Sequence, residues 1–220
     1  MEYSLLYHAI IPFILSALAV ILVTVIAEKY GTKTGGVVGT LPSTIIIAFL
    51  FIAVDKGTRF ASDSVAVVPA EMGINLVFLL IFALLSKRKI PIALAGSFLA
   101  WTVLTIIIYY SNITSIITSI VLSLAVFLFC FLLIFLTLDK KKKITSQDTI
   151  KVHYTPLKLL SRSLIAGIVI AIAVTFSNVG TLLSGIFSVF PTIFLSTMLI
   201  SLREHGPQFT GAMAKGYDLW

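Results

Sequence analysis

Charged residues and cysteine are both scarce in this 220-residue chain. Asp, Glu, Lys and Arg make up 11% of the residues, less than half of the ~25% that is usual in soluble globular domains. Hydrophobic residues make up 59%, and this balance excludes a water-soluble fold. The single cysteine, Cys130, excludes an internal disulfide bond and a cysteine metal cluster. The first residues lack a basic segment followed by a small-residue cleavage site, so we expect no cleaved signal peptide.

Motifs of several catalytic chemistries are also lacking. The sequence contains no Walker loop, no Gly-x-Ser-x-Gly nucleophile elbow and no His-Glu-x-x-His zinc motif. The last hydrophobic segment contains no lysine to form a retinal Schiff base. The sequence therefore predicts neither an enzyme nor a protein that binds a cofactor or a metal ion.

Long uncharged segments predict an all-α polytopic membrane protein, with one integral membrane domain over residues 1–220. A helix of roughly 20 apolar residues crosses a bilayer, and isolated strands cannot satisfy their backbone hydrogen bonds in lipid. Residues 90–138 are too long for one crossing, so we expect a turn at Ser111 and Asn112. The seven predicted spans are 9–27, 35–54, 62–85, 90–110, 113–138, 163–177 and 180–202.

Positive charge is unequally distributed over the predicted loops. Of the 16 Lys and Arg residues, only Lys56 and Arg59 lie on the side of the N-terminus. The positive-inside rule therefore predicts a cell-membrane protein with its N-terminus outside and its C-terminus in the cytoplasm. The net charge of +7 then reflects topology rather than nucleic-acid binding, and segment 139–159 is a predicted cytoplasmic linker.

An internal repeat relates the two ends of the chain. Residues 11–61 align with residues 160–210 without a gap, and 12 of the 51 pairs are identical. Five predicted crossings separate the copies, so the second copy is predicted to be inverted, as in many secondary transporters. The identical pairs that are uncommon in apolar helices are Gly31 with Gly180, Thr32 with Thr181, Gly36 with Gly185, Pro42 with Pro191, Gly57 with Gly206 and Phe60 with Phe209.

The second copy of this repeat is incomplete. The first repeat, about 11–61, extends to 110, an extra helix covers 113–138, and the second repeat covers about 160–216. In the second repeat, the segment that corresponds to span three is only partly present. We expect either that a second copy of the chain completes this half, in a homo-oligomer, or that the last residues form a partial or interfacial helix.

Glycine and proline interrupt both copies at corresponding positions. Such paired interruptions indicate a transporter binding site, because freed carbonyls, amides and hydroxyls can face a cavity, and we expect the first half of span two to be kinked or unwound. The alternative is that the small residues serve only close helix packing. The candidate residues are Gly36, Gly39, Thr40, Pro42, Ser43 and Thr44 in the first copy, and Gly185, Ser188, Pro191 and Thr192 in the second.

Span three carries the most informative carboxylate. Glu71 and Asn75 share a helix face, and in a helix that begins near Ser62, Glu71 lies about 14 Å along it, near the bilayer centre. A carboxylate at that depth must be paired, protonated or ligated. We therefore predict that Glu71 binds a proton or cation, with Asn75 nearby. The alternative is that the helix begins later and Glu71 is interfacial.

One stretch of the second copy resembles a known family. Residues 184–192, followed by Glu204, His205 and Gly206, are similar to a pattern in the second helix of the small GlpM-like membrane proteins, and residues 36–44 with Asp55, Lys56 and Gly57 repeat it. The resemblance implies units of about four helices. The chain would then be a fused, inverted pair of such units, and the resemblance implies no substrate.

Two functions fit these patterns. The first is a small secondary transporter or ion-coupled permease for an unknown solute or ion, in which interrupted spans two and seven meet near Glu71. The second is an accessory or structural membrane protein that transports nothing. Water-accessible polar groups at mid-depth would favour the first, since a purely structural bundle is dry there.

Overall fold

The computed structural model describes residues 9–40, 43–86, 88–137 and 155–191 together with 195, 196 and 199; side chains 27–43 and 134–137 are not among those described. Throughout these residues the regular structure is helical, so the prediction of an all-α fold is confirmed. The helices are α1 (Ile11–Thr40), α2 (Ser43–Lys56), α3 (Thr58–Val65), α4 (Val68–Leu85), α5 (Ile90–Ser111), α6 (Ile116–Thr137), α7 (Pro156–Thr175) and α8 (Thr181–Ser188), with a 3₁₀ segment at Phe176–Asn178 after α7.

Four of these helical segments are long and apolar enough to cross a membrane. They are Val68–Leu85, Ile90–Ser111, Ile116–Leu133 and Pro156–Asn178, and Ile11–Ile26 is a shorter apolar stretch. Large apolar side chains of α6, such as Ile117 and Leu128, are mostly exposed, which suits contact with lipid rather than water. The protein is therefore membrane-embedded, and the count of seven spans stays a prediction.

The helices form two compact units. Unit 1 contains α1, α2, α3, α7 and α8, and unit 2 contains α4, α5 and α6. Both predicted repeat copies fall in unit 1 as far as residue 193, although they lie far apart in the sequence. The idea that all residues make one membrane domain stays a prediction.

The glycines at 35, 36 and 39 do not interrupt the helix that contains them. The predicted unwinding of the first half of span two is wrong for residues 35–40, because α1 continues through Gly35, Gly36 and Gly39 and ends at Thr40. Each glycine costs about 1 kcal/mol relative to alanine but keeps its backbone N–H. In the second copy α8 ends at Ser188, three residues before Pro191, and proline disfavours the helical conformation of the residue before it.

The third predicted span is divided into two helices. One span over 62–85 was expected, with a possible kink near Pro69. Instead α3 ends at Val65, Ala66 and Val67 form a turn, and α4 begins at Val68. Pro69 lies in the first turn of α4, where its missing N–H costs no helical hydrogen bond. Glu71 therefore lies only about 4.5 Å along α4, at 1.5 Å per residue. The predicted position about 14 Å along its helix is wrong, and the alternative that the helix begins later is confirmed.

The expected turn between α5 and α6 is confirmed. Asn112 has φ 48° and ψ 51° and ends α5 by donating its backbone N–H to the Tyr109 carbonyl. Asparagine adopts this left-handed conformation more readily than most residues.

Gly57 separates α2 from α3 and has φ 88°. A side chain there has free space around it, since nothing lies within 4 Å of an added Cβ, so the substitution Gly57→Ala tests the backbone alone. We expect a loss of about 1 kcal/mol in the free energy of unfolding, measured by denaturation in detergent. Gly180→Ala is the matched control, because Gly180 is equally uncrowded but extended. Equal stability of the two variants would contradict this reasoning.

Candidate functional site

The N-terminal turn of α4 is satisfied by a hydroxyl from another helix. The first backbone N–H groups of a helix have no partner within it, and Val67, which precedes α4, provides no side-chain cap. The Ala70 N–H instead donates to Ser119 Oγ of α6 at 2.9 Å. Ser119 thus holds this helix end beside α6, and Glu71 is the next residue.

Glu71 is fully buried, at 0% exposure. The Thr105 hydroxyl of α5 donates to Glu71 Oε2 at 3.1 Å, whereas Oε1 is buried and has no hydrogen-bond partner among the residues that the structure describes. No basic side chain in the described part of the chain forms an ion pair with it. The charge of this carboxylate therefore has no protein counter-ion among these residues, and one of its oxygens is free to bind a proton or cation.

Asn75, one turn further along α4, is also buried, at 2% exposure. The Trp101 indole N–H of α5 donates to its Oδ1 at 3.1 Å. Glu71 pairs with Thr105, and Asn75, four residues later on α4, pairs with Trp101, four residues earlier on α5. The two helices are therefore antiparallel and keep the same register. We call Glu71, Asn75, Trp101 and Thr105 the polar face.

The polar face continues into a tightly packed apolar region. Phe78 lies edge-on to Phe98, with ring centroids 5.4 Å apart. This pair continues the register in which α4 faces α5. On the α6 side, a Cβ added to Gly73 would lie 3.2 Å from Ser123 Cα, so α4 and α6 approach closely through small residues. The polar face is thereby enclosed on two sides by close helix contacts.

Sequence reasoning missed three residues of this region: Trp101, Thr105 and Ser119. Trp101 and Thr105 have the same four-residue spacing as Glu71 and Asn75, which is a signal for two matching helix faces. The pairing of these faces depends on the register of α4 against α5, which the spacing alone does not determine.

The other predicted site residues belong to unit 1. Thr44 is half-buried, and Gly185, Ser188 and Pro191 are buried. The Ser188 hydroxyl donates to the Gly185 carbonyl at 2.6 Å, a local bond within α8. Gly36, Gly39, Thr40 and Ser43 lie in helical backbone whose side chains are outside the described set, and Pro42 and Thr192 lie outside the described residues. The expected meeting of these residues with Glu71 stays a prediction.

Ser119→Ala tests the cap on α4. Because the Ala70 N–H would lose its partner in a buried position, we expect a loss of about 1–2 kcal/mol in the free energy of unfolding, measured by denaturant titration in detergent. Ser97→Ala is the control, since the equally buried Ser97 hydroxyl donates only to the Ala93 carbonyl of its own helix. A loss as large in the control would refute the capping role.

Comparison with known protein families gives a match over about the first half of the chain. Residues 9–115 match the model of a family described as a protein of unknown function, DUF3147. This part of the chain is similar to an uncharacterised family. The matched stretch includes the whole polar face and ends before α6, so it covers the first repeat copy but not the second. No curated protein and no solved structure gives a significant match. The resemblance to GlpM-like proteins stays a prediction.

Proposed function

We propose that this protein is a small secondary transporter whose coupling ion binds at Glu71. The supporting observation is a carboxylate at 0% exposure that has no ion pair among the described residues and one oxygen without a hydrogen bond. Such a group inside a membrane helix is costly. A purely structural bundle gains nothing from it, whereas a transporter requires a group that takes up and releases an ion.

The packing of unit 1 supports the inverted repeat on which alternating access would depend. At the end of α2, the Lys56 ammonium donates to Asn178 Oδ1 at 2.6 Å, and the Ser177 hydroxyl donates to Asp55 Oδ2 at 3.4 Å. Both contacts place the C-terminal end of α2 beside the 3₁₀ segment that follows α7. If α1 and α2 are successive crossings, and α2 and α7 cross in the same direction with these ends together, α7 opposes α1, its counterpart in the first copy, as inversion requires.

An accessory or structural role is the second candidate, and a specific contact favours it. A Cβ added to Gly167 of α7 would lie 2.8 Å from the Phe13 carbonyl oxygen of α1. Gly167 therefore lets α1 and α7 pack closely, which is the role of small residues in a purely structural helix bundle. The unpartnered Glu71 oxygen is the observation that this second role leaves unexplained.

The remaining parts of the proposal come from the sequence. The protein lies in the cell membrane, with its N-terminus outside and its C-terminus in the cytoplasm, as the distribution of Lys and Arg favours. Its partners are lipid and a small solute or ion, with a homo-oligomer as the way to complete the second repeat. It has no catalytic activity and binds no nucleic acid.

The proposed function is tested in vesicles of phosphatidylethanolamine and phosphatidylglycerol that contain the purified protein. A panel of small solutes is applied with and without imposed pH and Na⁺ gradients, and charge movement is recorded on a solid-supported membrane. We expect currents that depend on one gradient in the wild type and are lost in Glu71→Gln, which still inserts.

Asp63→Asn is the control, since it removes an exposed carboxylate from α3 and should leave the currents unchanged. Currents of equal size in the wild type and in Glu71→Gln would remove Glu71 from the mechanism. The absence of any gradient-dependent current would favour the accessory role.

A further inference from the structure

The surroundings of Glu71 distinguish a proton from a metal cation. Sodium sites in transporters use freed backbone carbonyls and the C-terminal ends of helices, which carry partial negative charge. Glu71 instead lies in the first turn of α4, where the backbone presents N–H groups and partial positive charge. This positive potential opposes every bound cation, a proton as well as a metal ion. A proton, however, needs only one carboxylate oxygen, whereas a metal ion needs several ligands.

The nearby oxygen atoms are already engaged. The Ser119 hydroxyl accepts the Ala70 N–H, and Asn75 Oδ1 accepts the Trp101 indole N–H. Among the described residues, no group of three or more His, Cys, Asp or Glu side chains forms a ligand cluster. Thr105 adds one hydroxyl, so the side chains offer too few oxygens to replace the hydration shell of a cation, which takes six or more when it is Ca²⁺.

We propose that the ion bound at Glu71 is a proton, an inference that rests on the proposed function. The proton adds to Oε1, which has no hydrogen-bond partner in the described part of the chain, while Thr105 continues to donate to Oε2. Water reaching the site from one side of the membrane gives the proton, and water on the other side takes it back. The carboxyl group is neutral while it is enclosed and charged when it is open to water.

Among the described residues, the helices packed against α4 are α5 and α6, and they contain few other groups that titrate. A pH response can therefore be assigned to Glu71. On α5 they are Tyr109 and Tyr110, which lie four and five residues beyond Thr105 and are exposed to 40% and 81%. On α6 it is Cys130, which packs with Leu80, nine residues from Glu71. Glu71 is the only carboxylate on α4, α5 or α6.

The test is infrared difference spectroscopy on the full-length protein in detergent during a pH titration. We expect a carboxylic acid C=O band that appears as the pH falls, is absent in Glu71→Gln and persists in the control Asp63→Asn. Adding NaCl or KCl at constant pH should leave the band unchanged. Thr105→Val should shift its frequency, because the hydrogen bond is lost, and Thr105→Ser should restore it; these two variants keep Glu71 and serve if Glu71→Gln does not fold.

Two outcomes would overturn the inference. Loss of the band on addition of Na⁺ or K⁺ at constant pH would show that a metal cation displaces the proton; the proposed transport function would then stand with a different ion. A spectrum with no titrating band that responds to Glu71 or Thr105 would mean that Glu71 takes up no proton. Failure of the proposed function itself is recognised separately, by equal vesicle currents in the wild type and in Glu71→Gln.

Discussion

Replacing Glu71 by methionine is expected to make the protein more stable by about 1–3 kcal/mol while abolishing gradient-dependent transport. Burying this group is costly in either form, as a charged carboxylate without a counter-ion or as a neutral carboxyl group with an unpaired oxygen. Among the described residues Oε1 does not recover this cost through a hydrogen bond. Methionine has a similar length, and its flexible thioether adapts to the space. Thr105 can redirect its hydroxyl to a carbonyl one turn earlier in α5.

The measurement is denaturant unfolding of Glu71→Met and of the wild type in the same detergent. Asn75→Leu is a useful comparison, because it removes a buried polar group that accepts a hydrogen bond from Trp101 and is therefore expected to destabilise the protein by about 1–3 kcal/mol. If the free energy of unfolding rises in Glu71→Met and falls in Asn75→Leu, then Glu71 is retained for function and Asn75 stabilises the fold. If Glu71→Met were as destabilising as Asn75→Leu, Glu71 would have a structural role.

Much of the helical fold can be predicted from hydrophobic runs and turn residues. The segments 90–110 and 113–138 correspond to α5 (Ile90–Ser111) and α6 (Ile116–Thr137), because a long apolar run has few alternatives to a helix in lipid. The turn at Asn112 is predictable since asparagine tolerates a left-handed conformation. Local chemistry determines these features, so no tertiary contact is needed to predict them.

Other helix ends are harder to predict. The glycines at 35, 36 and 39 indicated unwinding, yet α1 continues through them, since a glycine lowers helix stability only slightly. The break at Ala66 and Val67 falls in an uncharged run and precedes Pro69 by only a few residues. A proline is compatible both with a kink inside a helix and with the first turn of a new one, so the sequence left the depth of Glu71 open.

The partners of Glu71 could not be predicted from local patterns. Thr105 lies 34 residues beyond Glu71 and Ser119 lies 49 residues beyond Ala70. These two contacts depend on how α5 and α6 dock against α4. The residue type at 71 indicated a site, because a carboxylate in an apolar helix has a high cost. The unpartnered oxygen that supports proton binding is visible only once the neighbouring helices are in place.

Gly167→Leu is expected to cause the largest loss of stability among the variants considered. Even the first added atom, Cβ, would lie 2.8 Å from both the carbonyl oxygen and Cδ2 of Phe13. A backbone oxygen cannot turn away as a flexible side chain can, so α1 and α7 must separate. Overpacking of this kind costs about 1–3 kcal/mol for small additions and more when backbone has to move; we expect about 3 kcal/mol or more for leucine, and a smaller loss for Gly167→Ala.

The loss of stability is measured by unfolding in detergent. Ile168→Ala is the control at the next position: the Ile168 side chain is 51% exposed, so its removal should change the free energy of unfolding little. Because α1 and α7 begin the two copies of the repeat, their contact joins the copies within unit 1. A transporter that rocks at this junction should lose transport in Gly167→Ala even where the protein still folds, since a wedge between the helices favours one arrangement. If Gly167→Ala folds and transports as well as the wild type, the contact between α1 and α7 is not where the transporter moves.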